Sequence, residues 1–128
     1  MRILLDTHTF LWWTNNSPQL SKNAREIIAN PESELFLSAA SGWEIAIKMQ
    51  LGKLRVADDL ERFIAEQLSL NQIVTLPITM HHALHVHNLP LHHRDPFDRM
   101  IITQSQLEKM PVLTANGIFA RYNVKTIW

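Results

Sequence analysis

The sequence contains no cysteine, so disulfides and thiolate metal sites are excluded, and the composition suits a reducing compartment. It also lacks any apolar run approaching the ~20 residues that a membrane span needs. We therefore expect no membrane association, and the cytoplasm is the expected compartment.

A net charge is also missing, because 12 Lys and Arg balance 12 Asp and Glu among the 128 residues. Formal neutrality gives no argument for nucleic-acid binding, which would need a local basic patch. The chain shows no internal repeat, low-complexity tract or linker. We therefore predict a single domain over residues 1–128, large enough for one well-filled core.

Short apolar runs alternate with amphipathic segments along the chain. Strands are predicted at 3–5, 35–37, 73–76, 112–114 and 124–128. The predicted helices include one over 22–29 capped by Ser21, one over 42–51 capped by Ser41, and one opened by Asp58 and Asp59. This alternation predicts an α/β fold with a central parallel sheet of about four to five strands and helices on both faces.

Acidic side chains recur where the predicted elements meet. Asp6 follows the first, central strand, and Glu44 falls in the first turn of the helix predicted over 42–51. Asp95 and Asp98 begin a buried helix, with Pro96 at its first position. If the sheet is parallel, all of these places lie at its carboxyl edge, where open α/β sheets gather ligands.

Each acid also has a purely structural interpretation. Asp6 and Asp95 are good helix caps, Asp98 is favoured by the helix dipole, and Glu44 can pair with Lys48 one turn along its helix. Three or four carboxylates brought together nevertheless repel one another unless a counter-charge is present. Mg²⁺ or Mn²⁺ would supply it, and a water oriented by a carboxylate would be a nucleophile for phosphodiester hydrolysis.

Several segments together resemble one family, the PIN-domain ribonucleases of the VapC toxin type from prokaryotic type II toxin–antitoxin modules. The matching segments follow one another in order along the whole chain: Leu4 to His8, Ser38 to Ser41, Trp43 to Lys48, Leu51 to Leu54, Leu89 to Ile102, Leu113 to Asn116 and Val124 to Trp128. The run from His92 to Arg99 is specific to one branch of the family. The resemblance implies a PIN-like three-layer α/β/α fold.

The resemblance also implies roles for individual residues. Asp6, Glu44 and Asp98 would be metal-binding catalytic acids, with Asp95 a further acid beside them. Family members usually carry a fourth acid where this chain has Asn116, whose amide oxygen can orient a water but adds no charge. We therefore expect at most one well-occupied Mg²⁺ or Mn²⁺. The implied activity is metal-dependent endoribonuclease cleavage of RNA.

Basic and imidazole side chains near the acids are candidates for contact with substrate phosphate. His93 and Arg94 directly precede the acid pair, and Arg99 and Lys48 are close to acids in the sequence. Seven histidines also invite a zinc hypothesis, but no HExxH spacing occurs, which favours surface or packing roles for them.

Two kinds of protein partner are expected. The resemblance implies a cognate antitoxin, whose tail would bring a basic side chain to the acids, and a homodimer. Large apolar residues early in the chain (Phe10, Trp12 and Trp13) are candidates for the dimer surface. Alternatives are a PIN nuclease with a housekeeping or DNA-directed role, and a non-catalytic nucleic-acid-binding or receiver-like regulatory protein, which Asn116 favours.

Overall fold

The computed structural model describes residues 1–56 and 59–128. Its strands are β1 (Arg2–Leu5), β2 (Glu34–Ser38), β3 (Ile73–Leu76), β4 (Val112–Leu113) and β5 (Thr126–Ile127). Its α-helices are α1 (Thr7–Thr14), α2 (Lys22–Ala29), α3 (Ala39–Gln50), α4 (Leu60–Leu70), α5 (Met80–His85) and α6 (Pro96–Glu108). Short 3-10 turns cover Val86–Asn88 and Gly117–Arg121. Asp59 caps α4 as predicted, whereas Asp58 lies outside the described residues.

The five strands form one sheet in the order β3-β2-β1-β4-β5, and every neighbouring pair is parallel. The first strand of the chain is therefore the central one. Its neighbours end at the same edge, because Leu5 pairs with Leu37 on one side and with Leu113 on the other. The predicted parallel α/β sheet is confirmed, with the carboxyl ends of β1, β2 and β4 together.

Apolar side chains pack on both faces of the sheet, as the alternation of β1 requires. Ile3 and Leu5 belong to one buried cluster with residues of α1, α2 and α4, and Leu4 belongs to a second cluster with Ile101 and Ile102 of α6. The arrangement is the predicted three-layer α/β/α fold. It places α6 with its N-terminus at the carboxyl edge of the sheet, because the helix leads back to the start of β4.

Helix α3 begins earlier than predicted. Ser38 is the N-cap in place of Ser41, and its hydroxyl accepts a hydrogen bond from the Ala40 N–H at 3.0 Å. Glu44 consequently lies in the second turn of α3 and not in the first. Ser41 is buried inside the helix, where its hydroxyl accepts a hydrogen bond from Thr7 Oγ1 at 2.9 Å and so joins α3 to α1.

The large apolar side chains are distributed differently from the sequence prediction. Phe10 is fully buried, whereas Trp12 and Trp13 pack against the first core cluster and stay partly exposed, so Phe10 is removed from the predicted dimer surface and the two tryptophans are not. Trp43 on α3 is 59% exposed, although most of its neighbours on this helix are apolar. None of the helices within the described ranges is both long and apolar enough to cross a membrane.

Candidate active site at the carboxyl edge of the sheet

Asp6 is the N-cap of α1 and is buried between the carboxyl ends of β1 and β4. Its Oδ1 accepts a hydrogen bond from the Thr9 N–H at 2.7 Å. Its Oδ2 accepts a hydrogen bond from the hydroxyl of Thr114, the residue that follows β4. The cap interpretation of Asp6 is therefore correct, and the two contacts also hold the carboxylate in one orientation at the sheet edge.

Glu44 is buried on α3 with one oxygen paired and the other unpaired. Its Oε2 lies 2.6 Å from Lys48 Nζ, which is the i,i+4 pair expected from the sequence. Its Oε1 is buried with no hydrogen-bond partner among the described residues. A buried carboxylate oxygen without a donor is costly, so this position favours a cation or an ordered water.

Asp95 and Asp98 occupy the N-terminal turn of α6 as predicted. Asp95 is the N-cap, and its Oδ1 accepts a hydrogen bond from the Asp98 N–H at 2.9 Å, with Pro96 at the start of the helix. Asp98 is half-buried, and its Oδ2 lies 3.2 Å from Nε2 of His93. The Asp95 cap therefore holds the backbone of Asp98, whose side chain lies within hydrogen-bonding distance of His93.

The acids on α3 and α6 are close enough to affect one another's charge. Burial raises the pKa of Asp98 to about 6, and the negative charges of Asp95 and Glu44 act in the same direction. The hydrogen bond from His93 opposes the rise in pKa. A cation near Asp98 and Glu44 would reverse the cost of ionising Asp98.

Asp6 and Asn116 line one shallow depression of about 260 Å³, together with His8, Trp12 and Ala115. Asn116 is exposed, and its Oδ1 accepts a hydrogen bond from the Ile118 N–H at 3.1 Å, which caps the 3-10 turn after β4. The position that the resemblance assigns to the usual fourth acid thus opens onto the same space as Asp6.

The donor set fits a hydrated Mg²⁺ or Mn²⁺ better than a cation fully enclosed by protein. Within residues 1–56 and 59–128, no three His, Cys, Asp or Glu side chains converge closely enough to enclose a metal ion. Glu44 Oε1 nevertheless lacks a donor, and burial together with nearby negative charge raises the pKa of Asp98, so a cation is favoured at this edge. Mg²⁺ is commonly held through one or two carboxylates while it keeps several waters.

The predicted basic fringe is only partly present. Lys48 is bound to Glu44, and Arg94 is exposed beside the apolar depression that contains Trp43 and Phe97. Arg99 is buried, and its Nη1 donates to the Pro90 carbonyl at 2.8 Å. The guanidinium is directed into the protein, so the placement of Arg99 does not agree with a phosphate contact.

Sequence reasoning missed two residues that hold the acids in place. Thr114 hydrogen-bonds Asp6, and Tyr122, the single tyrosine of the sequence, hydrogen-bonds His93. Thr114 was detectable in principle, because it is the last residue of the strand predicted over 112–114, which was expected to end at the same edge as Asp6. Tyr122 carried no such signal, since it lies in an irregular segment whose course cannot be read from residue pattern.

Fold and site together define a three-layer α/β protein whose carboxylates gather at the carboxyl edge of a parallel sheet. A family model described as "PIN domain" matches residues 3–125, and the chain belongs to this family. The chain is 32% identical over 74 residues to Ribonuclease VapC16 of Mycobacterium tuberculosis (strain ATCC 25618 / H37Rv). That match covers 55% of this chain and 51% of the relative, so the chain spans about half the length of the curated relative it matches.

Solved structures show the same fold at low sequence identity. VapBC2 from Rickettsia felis, bound to a DNA fragment from its promoter, matches with a TM-score of 0.74 and 16% identity, covering 99% of this chain and 98% of the other. VapBC-1 from nontypeable Haemophilus influenzae gives 0.65 and 18%, covering 99% and 97%. FitAcB from Neisseria gonorrhoeae gives 0.61 and 17%, covering 98% and 96%.

Proposed function

We propose that this protein is a metal-dependent endoribonuclease and the toxin of a type II toxin–antitoxin pair. Membership of the PIN family and the similarity to a protein named as a ribonuclease support this activity. The observation that carries the proposal is the buried Oε1 of Glu44, which has no hydrogen-bond partner among the described residues and lies within electrostatic reach of Asp98. The ion pair with Lys48 satisfies only Oε2, and a purely structural pair would not leave the second buried carboxylate oxygen without a donor.

A hydrated Mg²⁺ or Mn²⁺ is proposed to bind directly to one or two of four acids and through water to the others: Asp6, Glu44, Asp95 and Asp98. When bound, the ion would stabilise negative charge on the phosphate and lower the pKa of a water that attacks phosphorus. Asp6 presents a carboxylate fixed by Thr9 and Thr114, and the amide oxygen of Asn116, which lines the same depression, is proposed to orient a water. In this proposal the hydrogen bonds from Thr9 and Thr114 keep the Asp6 carboxylate in a fixed position for the ion.

Lys48 and Arg94 are the proposed contacts to the RNA backbone. Lys48 is bound to Glu44 in the structure. A cation that competed for Glu44 would release the Lys48 ammonium group for a phosphate. Arg94 is exposed next to the acid pair and is free of the carbonyl contacts that hold Arg99. Arg99 is proposed to have a structural role.

The partners proposed for this chain are a cognate antitoxin and a second copy of itself. The solved relatives described as VapBC pairs support the antitoxin, whose basic side chain would block the acids by forming an ion pair with them. The proposed dimer surface consists of exposed apolar residues on and near α5 together with Trp43 of α3: Trp43, Ile78, Met80 and Leu84. We propose a cytoplasmic protein whose residues 1–128 form one domain.

Cleavage of total RNA by antitoxin-free protein, with and without Mg²⁺ or Mn²⁺, tests the activity. Asp98→Asn, Asp6→Asn and Glu44→Gln should each abolish metal-dependent cleavage while the circular dichroism spectrum is retained. Glu66→Gln on α4 is the matched control, because Glu66 is a 66% exposed acid with an ordinary surface ion pair. Wild-type cleavage by Asp98→Asn would refute the site.

A non-catalytic nucleic-acid-binding protein is the second candidate, and Asn116 is the observation that favours it. Replacing an acid by an amide removes one negative charge from the depression next to Asp6. Metal-independent RNA binding without any cleavage by the wild-type protein would support this alternative over the nuclease.

A further inference from the structure

The hydroxyl of Tyr122 is a buried junction between His93 and Arg99. Its oxygen lies 3.2 Å from the backbone nitrogen of His93 and 3.2 Å from Nη1 of Arg99. It also lies 2.7 Å from Nδ1 of the His93 ring. Three nitrogen atoms thus surround one phenol oxygen, and the chemistry of each nitrogen determines whether it donates or accepts the hydrogen bond.

Two of the three nitrogens can only donate. A backbone N–H and a guanidinium N–H have no acceptor capacity, so both direct protons at the Tyr122 oxygen. The hydroxyl proton is then left for the third neighbour, Nδ1 of His93, which must accept it. An Nδ1 that accepts carries no proton, so the proton of the neutral imidazole is on Nε2.

The opposite side of the same ring faces Asp98. Nε2 of His93 is 3.2 Å from Oδ2 of Asp98, and the tautomer set by Tyr122 makes this nitrogen a donor to the carboxylate. Arg99 is itself fixed by the Pro90 carbonyl at 2.8 Å. The series Arg99, Tyr122, His93 and Asp98 therefore connects the backbone to one carboxylate oxygen through hydrogen bonds of defined direction.

We propose that His93 is a positioning residue for Asp98, with its tautomer fixed by Tyr122, and that it does not contact the RNA phosphate. The catalytic part of this proposal depends on the proposed nuclease function. A neutral N–H orients Asp98 Oδ2 without cancelling the carboxylate charge, so Oδ1 stays available to a cation. Residues that orient metal-binding side chains in this way typically affect metal affinity or activity by ~10–100-fold.

The tautomer is tested on the metal-free protein, independently of activity. In ¹⁵N-labelled wild type, the His93 Nδ1 signal should be that of an unprotonated imidazole nitrogen and the Nε2 signal that of a protonated one. Tyr122→Phe keeps the ring but removes the hydroxyl, so the His93 signals should shift towards a mixture of tautomers. A protonated Nδ1 in the wild type, or unchanged signals in Tyr122→Phe, would overturn the assignment.

Mn²⁺ titration without RNA and steady-state kinetics distinguish a positioning role of His93 from a contact between His93 and the RNA phosphate. His93→Ala should weaken Mn²⁺ binding by ~10–100-fold and lower kcat at saturating RNA, with little change in KM. His93→Gln, which keeps an N–H donor for Asp98, should recover much of both. A higher KM with unchanged Mn²⁺ affinity would instead show a phosphate contact and overturn the proposal.

His87→Ala is the matched control, because His87 is exposed on the 3-10 turn after α5 and should leave every readout unchanged. A wild type that binds no Mn²⁺ and cleaves no RNA would refute the proposed function. The tautomer would still be decided by the ¹⁵N signals, so the two failures are distinguishable.

Discussion

Asp98 combines burial with nearby negative charge, and the direction of its pKa shift determines how stability depends on pH. Its pKa is raised from 3.8 to about 6. The folded state therefore binds this proton more tightly than the unfolded chain does. The resulting contribution to stability is complete below about pH 4 and is lost as the pH rises through 6.

We expect the protein to lose stability between pH 4 and pH 7 because Asp98 ionises in this range. Its ionisation should lower the free energy of unfolding by about 2 kcal/mol over this range, measured by urea denaturation at several pH values. Asp98→Asn should remove this component, and Mg²⁺ or Mn²⁺ at pH 7 should restore stability to the wild type alone. Identical pH profiles for wild type and Asp98→Asn would contradict the assignment.

The second prediction concerns Asn116, which shares a depression with Asp6. Asn116→Asp adds a negative charge there and keeps an oxygen that can cap the turn through the Ile118 N–H. Metal binding should tighten by about 1 kcal/mol, roughly fivefold, for a partly solvated charge at an effective dielectric constant near 20. Calorimetric titration and rates at low Mg²⁺ measure the effect.

Asn123→Asp is the matched control for the Asn116 variant. Asn123 is also exposed, but it lines a separate cavity with Lys109 and Met110. Equal effects of the two substitutions would mean that general charge, and not proximity to Asp6, governs metal affinity.

Among the secondary-structure elements, Arg99 of α6 holds the segment that connects α5 to α6 through hydrogen bonds to its carbonyl groups. Its guanidinium donates to Pro90 O at 2.8 Å and approaches the Val86 and Leu89 carbonyls at 3.4 and 3.5 Å. Arg99→Lys cannot reproduce this planar set of donors and should lower the free energy of unfolding by about 2–3 kcal/mol. Arg94→Lys, at an exposed position, should change it little. An increased KM with unchanged stability in Arg99→Lys would restore the phosphate role predicted from sequence.

The start of a helix could be predicted from the sequence where neighbouring residues alone determine it. Asp95 with Pro96, and Ser21 before α2, cap their helices as predicted, since a short polar side chain followed by helix-forming residues has few alternatives. Ser38 and Ser41 show the limit. Both are acceptable caps, and the choice depends on a tertiary contact, the Thr7 hydroxyl that binds Ser41 inside the helix.

The sequence also predicted at which edge of the sheet the acids lie, but not the directions of the side chains around them. Parallel topology was enough to bring Asp6, Glu44 and Asp98 towards one edge. The inward direction of Arg99 and the outward direction of Trp43 were not predictable, because each depends on packing between segments distant in sequence. An exposed tryptophan on an apolar helix has the same residue pattern as a buried one.

At the scale of the whole molecule, the exposed apolar residues predict where two copies meet. Leu84 on α5 is 67% exposed, and Met80 lies one turn before it on the same helix. Leu84→Glu should convert a dimer into a monomer in sedimentation analysis, because a charge would be buried at a self-complementary surface.

Leu70 provides the control for the dimer surface, since it is 76% exposed on α4. Leu70→Glu should leave the oligomeric state unchanged. A dimer that survives Leu84→Glu but dissociates in Leu70→Glu would move the interface to α4.

The central position of β1 has a consequence for the order in which a ribosome delivers the protein. The hydroxyl that holds Asp6 Oδ2 belongs to Thr114, 108 residues later in the chain, and Leu4 and Leu5 pair with Val112 and Leu113. A nascent chain therefore carries every acid of the site before it can assemble any of them around β4. Chains released before β4 is synthesised should lack the Thr114 hydroxyl and the strand that support Asp6, so the proposed site can assemble only after translation has passed β4.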